Sequence, residues 1–405
     1  MAQGTAIVGF DFALPFMPLY LQHDLGIHGL GQIALWAGIV GFGPAIPATI
    51  LAPIWGRMAD RFGYRVMLLR AMVSAAALLA LMGFAQSVWV LVALRMVQGG
   101  LTGTIYSAQA LVASAAPEDE TGRAMGLLQM SVYGGATVGP VAGGLVAQLA
   151  GYRASFVMAG LLLLVATAIV FVLVVEPVRS PRAEQSHASQ QPRRSIVNVL
   201  RYPPFAAALA FTVISQVASS AQFPILPLFV QHLLNGHGGV TADTGWLLAL
   251  SGLAAAVGSY CAGKLYKRRG LTSMLRLLGG GCTILVALQS LAPTYVAFLG
   301  LRVGAAFAFG GMFALLGVWA AASSPKDAKG TAFGLVGAAG SFGFGAGPLL
   351  GGLVVSLSGL RAVFVLAAAL LLAAWFSTFV RAGSPVGNRR SSARAAVAPE
   401  ASPAK

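Results

Sequence analysis

The chain has 405 residues, of which 57% are hydrophobic and 9% charged, with a mean hydropathy of +0.80; soluble domains carry about 25% charged residues. No soluble core hides that much apolar surface, and the apolar residues gather into about twelve blocks of roughly 18 to 28 residues, each long enough to cross ~30 Å of hydrocarbon as a helix. The net charge of +15 would suit a nucleic-acid partner, but no helix-turn-helix or aromatic-interleaved basic pattern accompanies it, so the expectation is an all-α membrane protein with no nucleic acid bound.

The first span covers residues 3 to 22 and starts almost at Met1. It has neither a basic n-region nor a small-residue cleavage pattern, so it does not read as a signal peptide. The cytoplasmic tail usual before such a span is missing, which points to a shortened chain or a start codon placed too late. Asp11 is the only carboxylate inside any predicted span, and a charge in that position is costly and normally functional. On a regular helix Asp11, Pro15, Pro18 and Gln22 fall within about 60° of one another, a stripe expected to face a central cavity. A carboxyl held away from bulk water is a candidate for taking and releasing protons. The competing reading leaves Asp11 solvated at the interface.

The second span runs from 34 to 55 and the third from 66 to 86. Between them Gly56 to Arg65 forms a basic turn in which the glycines allow the chain to reverse and Asp60 can accept bonds or favour a helix N-terminus. The fourth span, 88 to 113, carries a polar stripe of Arg95, Gln98, Thr102, Tyr106 and Gln109. Lipid would not tolerate that face, so it points at other helices or at water. There Arg95 either biases the proton affinity of Asp11 or caps backbone carbonyls between helices. The fifth span, 124 to 149, places Gly135, Gly139, Pro140, Gly143 and Gly144 along a helix, which permits close approach and a kink. Gating and plain packing are both open readings of that pattern. The sixth span is 154 to 175.

Glu176 to Pro204, rich in Arg, Ser, Gln and Pro, reads as a linker. The later spans are 205 to 231, 245 to 263, 271 to 291, 294 to 321, 331 to 357 and 361 to 380, followed by a tail over 382–405 that is expected to be disordered. Arg302 in the tenth span lies on a stripe with Phe309 and Phe313. Tyr106, Gln109, Gln129, Tyr133, Gln216, Gln222, Phe309 and Phe313 together describe an apolar, aromatic cavity with a few neutral hydrogen-bonding groups. Such a wall suits amphiphilic compounds, including cations drawn by one carboxylate and aromatic faces. Cys261 and Cys282 lack metal-ligand spacing and read as packing residues. No metal, cofactor or catalytic residue is expected.

The chain is an internal duplication. Pro15 to His23 recurs as Pro224 to His232, displaced by 209 residues; Gly139-Pro140 with Gly143-Gly144 recurs as Gly347-Pro348 with Gly351-Gly352, displaced by 208; Leu94-Arg95 recurs as Leu301-Arg302, displaced by 207. Six helices per copy make the halves parallel, 1–175 and 205–381, with Ser220 in place of Asp11 and Lys267 in place of Asp60. Of 26 basic residues, 22 fall in the loops and tail on one side, two (Arg153 and Arg361) on the other, and two within spans. The positive-inside rule therefore puts both termini in the cytoplasm.

Gly56-Arg57-Met58-Ala59-Asp60-Arg61-Phe62-Gly63-Tyr64-Arg65 resembles the signature loop of the major facilitator superfamily, departing from its commonest form at Met58 and Tyr64. Arg95, Gln98 and Gly99 resemble its fourth-helix motif, and Gly135, Gly139, Pro140, Gly143 and Gly144 resemble the fifth-helix pattern of its proton-coupled exporters. The resemblance covers nearly the whole chain. It implies twelve helices in two halves around a central cavity, alternating access, and drug:proton antiport like that of bacterial multidrug-resistance and tetracycline exporters. It also implies a monomer in the bacterial inner membrane and a conformational latch at Gly56, Asp60, Arg61, Gly63 and Arg65, against which stands a loop that only sets topology. An ATP-driven pump is excluded by the missing phosphate loop, and an intramembrane enzyme by five histidines that all lie at span ends or in loops. An importer of a small metabolite and a non-transporting sensor remain as alternatives.

Overall fold

The computed structural model describes residues 2–101, 108, 111–112, 121–174, 203–235, 239–323 and 329–380, and among these all regular structure is helical. Helices α1 (Ala2–Ala13) and α2 (Met17–His23) make the first span, α3 (Leu30–Phe42) and α4 (Ala45–Phe62) the second, α5 (Tyr64–Met82) the third and α6 (Val88–Leu101) the described part of the fourth. Helix α7 (Thr121–Leu173) holds the fifth and sixth spans, which part at Gly151, where φ 86° and ψ 167° interrupt the helix. The second half repeats the order: α8 (Pro203–Gln222) with α9 (Leu226–Leu233), then α10 (Val240–Arg269), α11 (Leu271–Gln289), α12 (Tyr295–Ser323), α13 (Lys329–Ser358) and α14 (Ala362–Val380). The twelve expected spans are all present. The tail lies outside the described residues, as does the linker except for its last two positions, which begin α8.

The duplication extends to the breaks in the helices. Pro15 sits in a 3-10 turn, Leu14–Phe16, and Pro224 in its counterpart Phe223–Ile225, because a proline without an N–H interrupts the α-helical ladder. This turn places Asp11 and Gln22 in separate helical segments, α1 and α2, rather than on the one regular helix on which the stripe was drawn. The Gly56–Arg65 turn is also shorter than expected. Gly56 to Phe62 continue α4, and Gly63 alone reverses the chain at φ 94°, as Gly270 does at φ 84° in the second half. Both are conformations that side chains rarely adopt, whereas Met, Ala and Arg between them favour continued helix.

Each half has its own core. In the first, Tyr20 is fully buried against Phe156 with ring centroids 5.0 Å apart, and its hydroxyl donates to the Met82 carbonyl at 2.9 Å. In the second, the core gathers around Phe211, Met312 and Leu315, while Phe229, the equivalent of Tyr20, lies 4.8 Å from both Phe298 and Phe364 and needs no hydrogen-bond acceptor.

The halves meet along two equivalent seams. Gly144 of the fifth span lies against the Thr241 carbonyl of the eighth, and Gly245 of the eighth against the Pro140 carbonyl. Gly352 of the eleventh span lies against the Ala34 carbonyl of the second, and Gly38 of the second against the Pro348 carbonyl. One hydrophobic cluster, including Phe16, Leu19 and Ile33 with Leu226, Phe229 and Phe364, joins both halves at the end remote from Gly63 and Gly270. Toward the Gly63 and Gly270 end, the clusters around Leu68 and Met72 and around Phe205 and Ala320 each draw on one half only.

Candidate functional site

Small residues at four-residue spacing decide what surrounds Asp11. Gly135, Gly139 and Gly143 line one face of the fifth span and press on the first. A Cβ at Gly139 would lie 2.9 Å from the Val8 carbonyl and 3.0 Å from Asp11 Cβ, and one at Gly143 would run into the Phe12 carbonyl. Asp11 is thus held half-buried at the crossing of the first and fifth spans. Pro140 and Gly144, on the other face of the same helix, meet the opposite half. The eleventh span repeats the arrangement with Gly343, Gly347 and Gly351 against the seventh and Pro348 and Gly352 against the second. The five residues predicted as a gating helix therefore divide between a joint inside one half and a seam between halves.

Arg95 makes no ion pair with Asp11. The one ion pair among the described residues joins Arg153 to Asp24 at 3.1 Å, between two connections at the end remote from Gly63. Arg95 Nε donates instead to the Val40 carbonyl at 3.2 Å, and Nη1 to Gln98 Oε1 at 2.6 Å. Local sequence explains the first bond: a helix would pair the Val40 carbonyl with the N–H of residue 44, which is proline and has none. Arg95 thereby fills an acceptor left open by Pro44, and Gly99 on the next turn allows Pro44 to lie against the fourth span.

In the second half the residue equivalent to Pro44 is Ser251, and the Leu247 carbonyl already accepts from the Ser251 hydroxyl at 2.6 Å. Arg302 has no such carbonyl to fill. Its Nη1 donates to Gln222 Oε1 at 2.8 Å, and its Nε is buried with no hydrogen-bond partner. A cavity of about 190 Å³ opens beside it, lined by Ser219, Gln222, Ser251, Cys282, Ala306 and Phe309 among others. Gln222 and Phe309, both expected on a substrate wall, line this one cavity. Phe313 stacks on Phe309 with centroids 5.9 Å apart, while Gln216 packs on Gly343 of the eleventh span. Tyr106, Gln109 and Thr102, and the side chains of Gln129 and Tyr133, lie outside the described residues. A second cavity of about 700 Å³, between the halves at the end remote from Gly63, takes in Gln22, Gln231, His232, Asn235 and Arg361.

At the predicted latch, Arg61 is exposed and its guanidinium stands 5.3 Å over the Phe62 ring. Arg65 Nη2 donates to the Phe171 carbonyl at 2.6 Å, near the C-terminus of the sixth span, where a cation also meets the favourable end of the helix dipole. Arg276 does the same to Thr378, 207 residues beyond Phe171, at 3.0 Å. Asp60 lies in the last turns of α4, and its side chain is outside the described residues. Sequence reasoning missed Arg70, which stacks 3.4 Å over Trp55, and Ser219, Ser251 and Cys282 around Arg302. The Pro44-to-Ser251 exchange between the halves was the available signal for that second group.

Twelve helices in two six-helix halves, with charged residues held inside spans and cavities within and between halves, define a membrane transporter. The chain belongs to the Major Facilitator Superfamily, whose family model matches residues 1–288 and again 212–403. It is 30% identical over 367 residues to the multidrug resistance protein MdtG of Escherichia fergusonii, covering 90% of this chain and 88% of that one. The MdtG of Proteus mirabilis is 30% identical over 385 residues, covering 91% and 92%. Among solved structures, a bacterial homologue of the human lysosomal transporter Spinster, inward-facing and occupied, superposes with a TM-score of 0.72 at 16% identity over 94% of each chain. The nucleoside transporter NupG superposes at 0.70 with 13% identity, over 95% of this chain and 98% of that one. At those identities the likeness is one of fold.

Proposed function

We propose that the protein exports small amphiphilic or apolar compounds across the bacterial inner membrane in exchange for protons, by alternating access and as a monomer. The similarity that carries this reading is to proteins named for multidrug resistance, sustained at 30% identity over nine-tenths of the chain. With the basic loops in the cytoplasm, the hydrophobic cluster shared by the halves lies toward the outer end, while the described clusters toward the inner end each draw on one half, which suits an inward-facing state. Asp11 carries the proton: it is acidic, lies in mid-span, and touches a helix that also forms the seam between halves, so its protonation and the seam can bias one equilibrium. Gly144, Gly245, Gly38 and Gly352 form the seams that part when the outer end opens, and the Gly56–Arg65 segment holds the inner ends when they close.

Everted membrane vesicles with an imposed pH gradient and a compound panel test the reading. Uptake of aromatic and cationic amphiphiles that depends on the gradient supports export. Movement of a metabolite in the opposite sense in intact cells, or no transport of any compound by abundant protein, would leave the importer or the sensor in its place.

A further inference from the structure

We propose that the cavity beside Arg302 is a binding site for a small monoanion, an inorganic halide or the carboxylate of a small aromatic acid. Arg95 and Arg302 occupy equivalent positions, yet Arg95 has partners on Nε and Nη1 from its own half, the Val40 carbonyl and Gln98. In the second half both partners are gone: Ser251 replaces the proline that freed the carbonyl, and Ala305 replaces the glutamine. Gln222, reaching over from the seventh span, satisfies Nη1 only, and Nε remains unpartnered. A buried guanidinium without a counter-charge is expensive. The sequence offers none here, since the second half, 205–381, contains only Asp243 and Asp327 as acids, and Asp243 lies in the first turn of α10 with its backbone carbonyl bonded by Tyr295.

The space beside Arg302 fits the same occupant. Ser251 and Ala305, which stand where the first half has the proline and glutamine, border a cavity of about 190 Å³ whose polar lining comes from Arg302, Gln222, Ser219 and Ser251, and whose apolar wall includes Val286, Leu371 and Phe309. A guanidinium binds carboxylates and halides through charge-assisted hydrogen bonds, and an aromatic wall accommodates a flat apolar ring. The inference does not rest on export or on proton coupling, and its test reads occupancy rather than transport.

The test is equilibrium dialysis of the purified protein in chloride-free buffer whose only background anion is sulfate, a dianion, at fixed ionic strength, with radiolabelled benzoate and, separately, radiolabelled chloride. The expected result is one saturable site for at least one of the two probes. Benzoate alone assigns an organic carboxylate, chloride alone a halide, and mutual competition a site open to both. Arg302→Gln should abolish binding, and Arg302→Lys, which keeps the charge but loses the planar fork, should weaken it by about tenfold. Ala305→Gln provides an independent check that keeps the arginine: it gives Arg302 the neighbour that Arg95 has in Gln98 and fills the cavity, so binding should be lost while the protein stays folded. Absence of saturable binding of both anions, equal binding of uncharged benzamide, or wild-type binding in either Ala305→Gln or Arg302→Gln overturns the proposal.

Discussion

Pro44 and Arg95 illustrate how single residues divide the work in this protein. Pro44 withholds one N–H, Arg95 supplies the missing donor to Val40, and the fourth span is thereby fixed to the second. Arg95→Gln should then leave a buried carbonyl open and lower stability by about 1–3 kcal/mol. In a Pro44→Ala background, where the backbone N–H is restored, the same change should cost less, so a double-mutant cycle read by thermal unfolding should return an interaction of about 0.5–3 kcal/mol. Strict additivity would mean that Arg95 is not there to serve Pro44. Asp11 has the sharper functional expectation. Asp11→Asn imitates a permanently protonated carboxyl, so substrate should still bind and exchange, while net uphill export falls to the background of empty vesicles. A variant that still drives a neutral compound uphill removes the coupling role, and a variant that loses only cationic compounds assigns Asp11 to substrate contact.

At the level of elements, the fifth and eleventh spans each carry two kinds of small residue on opposite faces. Gly143 and Gly351 allow the neighbouring helix of the same half to approach, whereas Gly144 and Gly352 meet the opposite half. Alanine at Gly143 must displace the Phe12 backbone, a joint that stays closed in the proposed cycle, so Gly143→Ala should reduce folded protein, at a cost of about 1–3 kcal/mol. Alanine at Gly144 disturbs the Thr241 contact instead. In the proposed cycle that contact breaks each time the outer end opens, so Gly144→Ala should keep its abundance and shift the population outward. Labelling of a single cysteine introduced at the outer cavity checks this: equal labelling of wild type and Gly144→Ala at equal abundance would show that the seam does not set the balance. The Gly56–Arg65 segment is read in the same terms. Asp60→Asn should insert and fold normally yet slow exchange between the two states, and wild-type transport rates at equal abundance would retire the latch.

For the whole molecule, proton coupling is a statement about energy supply. One proton falling through ~180 mV releases ~4 kcal/mol, which supports a substrate gradient of roughly a thousandfold. Export should therefore collapse when an uncoupler dissipates the gradient while ATP is held constant, and undiminished export under those conditions excludes antiport. The described contacts agree with a carrier that rocks as two bodies: each half has a core of its own, and the shared cluster sits at one end.

How much of this was legible in the chain follows from where the information is stored. Hydropathy is written residue by residue, so twelve spans were countable, and the duplication appeared as one offset shared by motifs such as Pro15 to His23 and Pro224 to His232. Those two features fix the helical class and the paired halves, because lipid admits few other solutions for the backbone. Local breaks were less legible. The stripe through Asp11 and Gln22 assumed an unbroken helix, and the Gly56–Arg65 turn shrank to Gly63, since a helix ends where the geometry of one residue forbids it rather than where charge begins. The partners of Arg95 and Arg302 were not legible at all. Val40 lies 55 residues from Arg95 and Gln222 lies 80 from Arg302, and only packing decides which donor reaches which acceptor. The sequence by itself determined that both arginines sit in spans where lipid would reject them. The tertiary structure alone decided that one finds partners for Nε and Nη1 within its own half and the other borders a cavity, because that depends on what Pro44 and Ser251 place across from them.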